Sequence, residues 1–182
     1  MAAIAAEKEV FAASKTFTPI FSQLPDHIKL LGTKWVFKLK RDEEGRVARF
    51  KARLVAQGFG QRADDFDETF SPTLGQLPLR ALIATAALKG LELIQADFTA
   101  AYLNPELDKN VLIKLPAGYD EYAGASALQL NKGMYGLHQS GALWNEALTA
   151  ELRKLGYTTQ PHAEQCVLVR ELLNGRKLRA GL

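Results

Sequence analysis

Asp97 is the residue of this sequence whose type and position most directly suggest chemistry. It follows a mostly apolar run, Leu91–Ala96, whose composition predicts a buried strand that ends at the aspartate. A carboxylate at the end of a strand could bind a divalent cation, because such cations prefer oxygen ligands. It could equally cap the start of a following helix. The residue pattern alone leaves both roles open.

A second candidate is a concentration of positive charge. Between Lys34 and Arg53 the sequence has eight basic and three acidic residues, which gives this stretch a net charge of +5. The whole chain has a net charge of only +3, so its cationic character is concentrated here. Such a stretch suits a phosphate-bearing partner, although the mild overall charge does not require one.

The same stretch has the alternation of a β-hairpin. Trp35, Phe37 and Leu39 alternate with other residues, the stretch 42–45 ends in a glycine suited to a turn, and a second alternating run covers 48–54. This pattern predicts one apolar and one basic face. The basic face could grip a phosphate backbone or a triphosphate. It could also be a solvated edge, which is the commoner cause of charge on one side of a strand.

Other groupings of reactive residues are weaker. The loop 57–78 is rich in glycine, proline and acids, but its spacing lacks the glycine and terminal glutamate of a calcium loop. Carboxylates crowded on a loop are more often solvated. The histidines have no zinc-ligand spacing with Cys166, the single cysteine, so a zinc site is not expected.

The composition is that of an ordinary globular protein. The 182 residues are 47% hydrophobic and 24% charged, which is enough apolar material for the core of one domain. One cysteine excludes an intramolecular disulfide and favours a reducing compartment. The sequence shows neither a signal peptide nor an apolar run of the roughly 18 residues that cross a membrane. We therefore expect a soluble, intracellular protein.

Further elements frame these candidates. The alternation and spacing of apolar residues predict helices over 1–13, 79–89 and 142–155, the last two ended by glycines, and strands over 111–115, 128–130 and 166–169. Asn174-Gly175 is a hairpin-turn signal after the last strand. The stretch 14–33 is expected to be irregular or to contain a short extended segment. The whole indicates a mixed α+β fold.

Six segments in order resemble the reverse transcriptase region of copia-type (Ty/copia) retrotransposon polyproteins. The resemblance covers about residues 6–177, and its motifs are LGTKWVFK (31–38), FKARLVAQGF (50–59), FDETFSP (66–72), QADFTAAYLN (95–104), PAGY (116–119) and MYGLHQSGALW (134–144). The six motifs occur in the family's order and at about its spacing.

The resemblance implies an incomplete right-hand polymerase fold. It divides the chain into a lead-in of about 1–30, mostly fingers over 31–92, and a partial palm over 93–182 with an antiparallel sheet packed on helices. Such an enzyme is an RNA-directed DNA polymerase that works on an RNA template, a DNA primer and deoxynucleoside triphosphates. It needs two Mg²⁺ or Mn²⁺ ions, which stabilise the attacking and leaving oxygens. In the family it acts in the cytoplasm, within virus-like particles, or in the nucleus.

The resemblance also assigns roles to individual residues. Asp97 matches the first catalytic, metal-binding carboxylate. Tyr102 matches an aromatic residue that packs under the sugar of the incoming nucleotide and excludes a 2′-hydroxyl, and Gln139 matches a residue near the nucleotide or template. Lys51 and Arg53 would grip the triphosphate from the fingers hairpin. The alternatives are a half-buried tyrosine for Tyr102, a surface glutamine for Gln139 and solvated charges for the two cations.

The sequence departs from the family at the second half of its catalytic site. The adjacent aspartates of the family's Tyr-x-Asp-Asp turn should follow the strand near Cys166, but Glu171 is the only acid after Gln165. We expect that the chain alone has no polymerase activity and poorly holds metal. It is then a decayed enzyme fragment, a nucleic-acid-binding remnant, or an exon of a longer polyprotein. An unpaired palm edge also predicts poor soluble expression.

Smaller departures lie near the predicted nucleotide site. Pro105 follows Asn104 where the family usually has glycine, and because proline removes a backbone donor it could perturb the turn beyond Tyr102. His138 occupies a position where lysine is common, which removes one cation.

Overall fold

The computed structural model describes residues 2–159, 165–171 and 177–182. Its regular elements, in chain order, are α1 (Ala2–Ala13), β1 (Phe17–Ile20), β2 (Thr33–Arg41), β3 (Val47–Ala56), α2 (Gln76–Lys89), β4 (Leu112–Ile113), β5 (Ala127–Leu130), α3 (Ser140–Lys154), β6 (Thr158–Thr159), β7 (Val167–Glu171) and β8 (Lys177–Gly181). Short 3₁₀ turns connect several of them. The fold is mixed α+β with small antiparallel sheets, which confirms the predicted class. No described helix has the length and apolar content that a membrane span requires.

The predicted β-hairpin is present as β2 and β3. The register pairs Trp35 with Leu54, and further along the ribbon Leu39 pairs with Phe50, so the apolar residues of both strands share one face. Gly45 adopts a φ of 80° in the connecting turn, and Asp42 Oδ1 accepts a hydrogen bond from the Arg46 N–H at 2.8 Å. The aspartate therefore closes a turn that the glycine makes sterically easy.

The chain divides into two compact units, of which the first comprises residues 1–69 and 100–144. Its sheet has the order β1-β5-β4, and α1 packs against β3. Phe11 of α1 is buried and stacks on Phe17 of β1 at 5.0 Å between ring centroids. The core of this unit is apolar and includes Leu31, Leu54, Ile113, Leu128, Met134 and Leu137.

The second unit comprises residues 70–99 and 145–182. Its sheet has the order β6-β7-β8, with Leu168 and Cys166 fully buried. Pairing of β7 with β8 confirms the predicted hairpin, whereas its Asn174-Gly175 turn lies outside the described residues. Helix α2 ends at Gly90, which takes a left-handed φ of 57° as expected. The helix is more exposed than its apolar stripe suggested, since only Ala86 is buried.

The predicted buried strand before Asp97 is wrong. Residues 91–97 form no strand, no described strand pairs with them, and Ile94 is 90% exposed. An apolar run becomes a strand only when a neighbouring strand satisfies its N–H and C=O groups. The described part of the second unit offers no such neighbour to this run. Asp97 therefore lies in an exposed, irregular segment.

The other predicted elements are present with shifted ends. The strand expected over 111–115 is reduced to the two residues of β4, and α2 begins at Gln76 instead of residue 79. The earlier start places Pro78 in the first helical turn, where its missing N–H costs nothing because that donor would be unpaired anyway. Helix α3 is followed by Gly156 at a φ of 86°, as its predicted stop requires.

Candidate nucleotide and nucleic-acid site

The basic face predicted for the hairpin is formed by the strand register. Lys38 lies opposite Lys51, and Lys40 lies opposite Arg49. Like charges directly opposite each other on a sheet repel, so this arrangement costs stability in the absence of an anion. The pKa of Lys51 is lowered, first by partial burial and then by repulsion from Arg53, Arg49 and Lys40, with Glu7 acting in the opposite direction. The ribbon thus carries an excess of positive charge on this face.

Glu7 of α1 is the acid that faces this charge. Burial raises the pKa of its carboxyl group, while a backbone hydrogen bond at Leu54 and the charges of Lys51 and Arg53 lower it less. Its Oε1 atom is buried without a hydrogen-bond partner. The helix that packs against β3 therefore places one poorly solvated carboxylate beside two of the predicted phosphate-binding residues.

Arg53 and Tyr102, two of the predicted nucleotide-binding residues, both contact the ring of Tyr135, which was not among the residues predicted from the sequence. The Arg53 guanidinium lies over the ring of Tyr135 at 5.1 Å, and the Tyr102 ring meets the same ring edge-on at 5.3 Å and 68°. Arg53 comes from β3 and Tyr102 from a 3₁₀ turn after residue 100. The segment 133–139 thus brings together the cation and the aromatic residue that the resemblance had assigned separately.

Two glycines, Gly136 and Gly58, allow the backbone of this segment to pack closely against the end of β3. The Ala56 N–H donates to the Tyr135 carbonyl at 2.8 Å, and Gly136 has a φ of 93°. A Cβ atom at Gly136 would overlap the Ala56 carbonyl, and one at Gly58 would overlap the Gly136 carbonyl. Only glycines allow the two backbones to approach this closely. The sequence provides them at both positions.

The turn that carries Tyr102 is closed despite Pro105. Ala100 takes a left-handed φ of 52°, and the Asn104 side-chain amide donates to the Ala100 and Ala101 carbonyls at 3.2 and 3.1 Å. The Gly133 N–H donates to the Pro105 carbonyl at 3.2 Å. Pro105 therefore takes part in this turn through its carbonyl oxygen, and the turn is closed although proline has no N–H to donate.

Gln139 is buried, with 1% of its surface exposed, so the alternative of a surface glutamine is wrong. Its Oε1 accepts a hydrogen bond from Gln61 Nε2 at 2.9 Å, and its Nε2 donates to the Asp65 carbonyl at 3.0 Å. The His138 N–H in turn donates to Gln61 Oε1 at 2.9 Å. The amide of Gln139 is therefore used within the protein, and its contact with a nucleotide stays a prediction.

The acidic loop is partly neutralised by the protein itself. Asp65 Oδ2 accepts a hydrogen bond from the Arg62 N–H, and Asp67 forms an ion pair with Lys109 at 2.7 Å. That hydrogen bond and ion pair raise the pKa of Lys109. Within the described ranges, no three histidine, cysteine or acidic side chains cluster closely enough to hold a metal ion. The described residues do not form a two-ion site, and Asp97 as a metal ligand stays a prediction.

The family to which these features belong follows from sequence comparison. Residues 15–181 match the family model described as "Reverse transcriptase (RNA-dependent DNA polymerase)". The chain belongs to this reverse transcriptase family. The match confirms the resemblance and includes Lys51, Arg53, Asp97, Tyr102 and Gln139, whereas α1 with Glu7 precedes it. No solved structure matches the chain.

Curated relatives of this reverse transcriptase chain are copia-type retrotransposon polyproteins. It is 34% identical over 166 residues to the retrovirus-related Pol polyprotein from transposon TNT 1-94 of Nicotiana tabacum, covering 90% of the chain and 12% of that protein. It is 33% identical over 135 residues to the Pol polyprotein from transposon RE1 of Arabidopsis thaliana, covering 73% and 9%. The chain therefore spans about a tenth of these polyproteins.

A shorter relative is an uncharacterized mitochondrial protein of Arabidopsis thaliana. The two are 40% identical over 83 residues, which is 45% of this chain and 49% of that protein. Its name assigns it no activity.

Three site residues were missed from the sequence. Tyr135 stands out only as part of a family motif, Gln61 as one residue of the loop 57–78, and Glu7 as one residue of the predicted helix over 1–13. Tyr135 could have been suspected from its place beside Gly136 in a glycine-punctuated segment. Gln61 and Glu7 carry no local signal, because their partners lie 78 and more than 40 residues away along the chain.

Proposed function

We propose that the chain provides nucleotide and template binding in a copia-type RNA-directed DNA polymerase, and that it does not polymerise by itself. The first part rests on the basic face of the β2–β3 hairpin. The second rests on the sequence, in which Asp97 matches the first catalytic carboxylate and no Tyr-x-Asp-Asp turn is present.

The observation that carries the proposal is the pairing of Lys38 with Lys51 and of Lys40 with Arg49 across the ribbon. A solvated edge with scattered charges would not need cations placed directly opposite each other. The two cations of each pair repel each other, and a bound polyanion offsets that repulsion because its phosphates attract both cations. The partial burial of Lys51 supports the proposal, because desolvation makes its charged ammonium group more costly.

The group of Arg53, Tyr135 and Tyr102 supports a nucleotide at the end of the same strand. An arginine that stacks on a ring face keeps its in-plane N–H groups for phosphate oxygens. Tyr102 would then lie on the sugar side, as the resemblance implies. The family's chemistry uses two divalent ions to stabilise the attacking and leaving oxygens. Asp97 would supply one of their ligands, and the remaining carboxylates have to come from elsewhere.

Binding is tested with a fluorescein-labelled single-stranded RNA titrated at several salt concentrations. We expect measurable affinity at low salt and a logarithmic salt dependence with a slope of about −0.7 for each phosphate neutralised. The double variant Lys40→Gln/Arg49→Gln should weaken binding and reduce that slope by about 1.4. The matched control Lys29→Gln/Lys89→Gln removes the same charge from exposed positions outside the hairpin and should change little. Equal losses in both double variants would refute a role for the hairpin.

Polymerisation is tested by primer extension on a homopolymer RNA template with Mg²⁺ or Mn²⁺. We expect no template-dependent extension by the chain alone, because one carboxylate cannot fix two ions. Extension above a protein-free blank would contradict the second part of the proposal and leave the binding role intact.

A further inference from the structure

Tyr135 contacts both Arg53 and Tyr102, the two residues proposed to bind the triphosphate and the sugar of the incoming nucleotide. We infer that Tyr135 is a positioning residue that couples the triphosphate contact of Arg53 to the sugar contact of Tyr102, so that one ring sets both nucleotide affinity and discrimination against a 2′-hydroxyl. The inference rests on the proposed function. It adds Tyr135 to the proposed site and links the contacts of Arg53 and Tyr102, which were proposed independently of each other.

The first half of the coupling is the contact with Arg53. The guanidinium carbon lies 5.1 Å from the centre of the Tyr135 ring, within the range of a cation–π interaction. The Arg53 side chain is exposed, so without the ring its guanidinium would have many solvated conformations. The ring face restricts it to a few and leaves its N–H groups available for phosphate oxygens.

The second half is the contact with Tyr102. Its ring meets the Tyr135 ring at 5.3 Å and 68°, an edge-to-face geometry that aromatic pairs favour. Both tyrosines are half-buried, which leaves part of each ring accessible to a ligand. Tyr135 therefore restricts the Tyr102 ring at the point where a ring rotation would admit or exclude a hydroxyl group.

The backbone under Tyr135 is held firmly enough for such a role. Met134 and Leu137, on either side of it, are buried in the core, and the Tyr135 carbonyl accepts the Ala56 N–H. Gly136 leaves no room for the segment to shift toward β3, because even a Cβ would overlap that strand. A ring anchored in this way can hold its neighbours instead of following them.

The test compares dATP with ATP, which differ only at the 2′ position, bound to the chain with a primer–template duplex present. Tyr135→Leu removes the ring and should weaken dATP binding about threefold, the loss expected for an exposed cation–π contact. It should also bring the ratio of the two affinities close to one. Tyr135→Phe keeps the ring and should preserve both values. Arg53→Met removes only the cation and should lower affinity without changing the ratio.

The outcomes separate the inference from the proposed function. If the wild-type chain binds dATP and Tyr135→Leu keeps the wild-type ratio, the coupling is refuted while nucleotide binding stands. If the wild-type chain binds neither nucleotide, the proposed nucleotide role fails and the inference fails with it. Should Tyr135→Leu not fold, Tyr135→Met fills the same space without a ring. A thermal-stability cycle of Arg53→Met with Tyr135→Met must then show coupling, and its absence would also refute the inference.

Discussion

Gln139 and Gln61 are joined by a side-chain hydrogen bond of 2.9 Å, although 78 residues separate them along the chain. Gln139 is buried and also donates to the Asp65 carbonyl. The pair therefore ties the loop 57–66 to the segment that carries Tyr135. Gln139 therefore has a structural role in this chain, independent of any contact with a nucleotide.

Replacement of Gln139 should destabilise the protein because its partners would lose their hydrogen bonds. We expect Gln139→Ala to lower the free energy of unfolding by about 2–3 kcal/mol, the range for buried polar groups left unpaired. Gln23 is exposed, and Gln23→Ala should stay within about 0.5 kcal/mol of the wild type. Urea unfolding of both variants measures the difference. Equal, small effects would mean that the tie does not form in solution.

The close approach of two backbones at Gly136 predicts that glycine-to-alanine substitutions at two positions differ greatly in their cost to stability. Gly136 and Gly45 both have a positive φ, of 93° and 80°. A Cβ at Gly45 meets nothing within 4 Å, so Gly45→Ala should cost only the backbone strain of about 1–2 kcal/mol. A Cβ at Gly136 overlaps the Ala56 carbonyl, and Gly136→Ala should cost about 4 kcal/mol. Melting temperatures compare the two, and a smaller shift for Gly136→Ala would refute the close approach.

Glu7 should lower stability at neutral pH. Its pKa is raised in the folded protein, chiefly by burial, so the protonated form is favoured there. The stabilisation of the fold by the protonated carboxyl group is fully present below the pKa of the unfolded chain, about 4.5, and is lost as the pH rises through the pKa of the folded protein. Glu7→Gln cannot ionise and should be more stable than the wild type at pH 7. The advantage should shrink toward pH 4, and melting curves across this range would show it.

An advantage of Glu7→Gln that stays constant with pH would contradict this account, because the difference would then not arise from ionisation. The exposed Glu9 provides a control on the same helix. We expect Glu9→Gln to have little effect at any pH.

Lys8 should stabilise the first unit through three contacts. Its ammonium donates to Glu121 at 2.8 Å and to the Gly118 carbonyl at 2.7 Å, and it lies 4.7 Å from the centre of the Tyr119 ring. Burial is the largest single effect and raises the pKa of Glu121, but the hydrogen bond from Lys8, a backbone hydrogen bond and the charge of Lys8 together outweigh it and leave the pKa lowered. The pair is partly exposed, so Lys8→Met should cost about 1 kcal/mol at pH 7.

Because the Glu121 pKa is lowered, its contribution is present above the unfolded value of 4.5 and is lost as the pH falls through the folded pKa. The cost of Lys8→Met should therefore decrease in acid. The control is Lys154→Met, which breaks a well-exposed ion pair with Glu151 and should cost about 0.3–0.5 kcal/mol at most. Similar costs for both variants would mean that the contacts of Lys8 add nothing.

The sequence determined the hairpin, its two faces and its turn, because strand alternation and turn chemistry are local properties. The φ of 80° at Gly45 follows from the residues of its own turn, which are only a few positions apart. The pairing of Trp35 with Leu54 follows from the two-residue period of the strands. The family was likewise determined by sequence, since its motifs are contiguous stretches of residues. The same holds for the glycine stops of α2 and α3.

The tertiary structure decided which distant residues meet and which apolar run becomes a strand. The run 91–97 has strand composition, but pairing needs a neighbour that local sequence cannot provide, and Asp97 is exposed as a result. Tyr135 joins Arg53 to Tyr102 only because Gly136 and Gly58 let two backbones cross closely. Contacts of this kind depend on packing between chain segments, and for that reason the sequence predicted the candidate residues and the structure determined how they are connected.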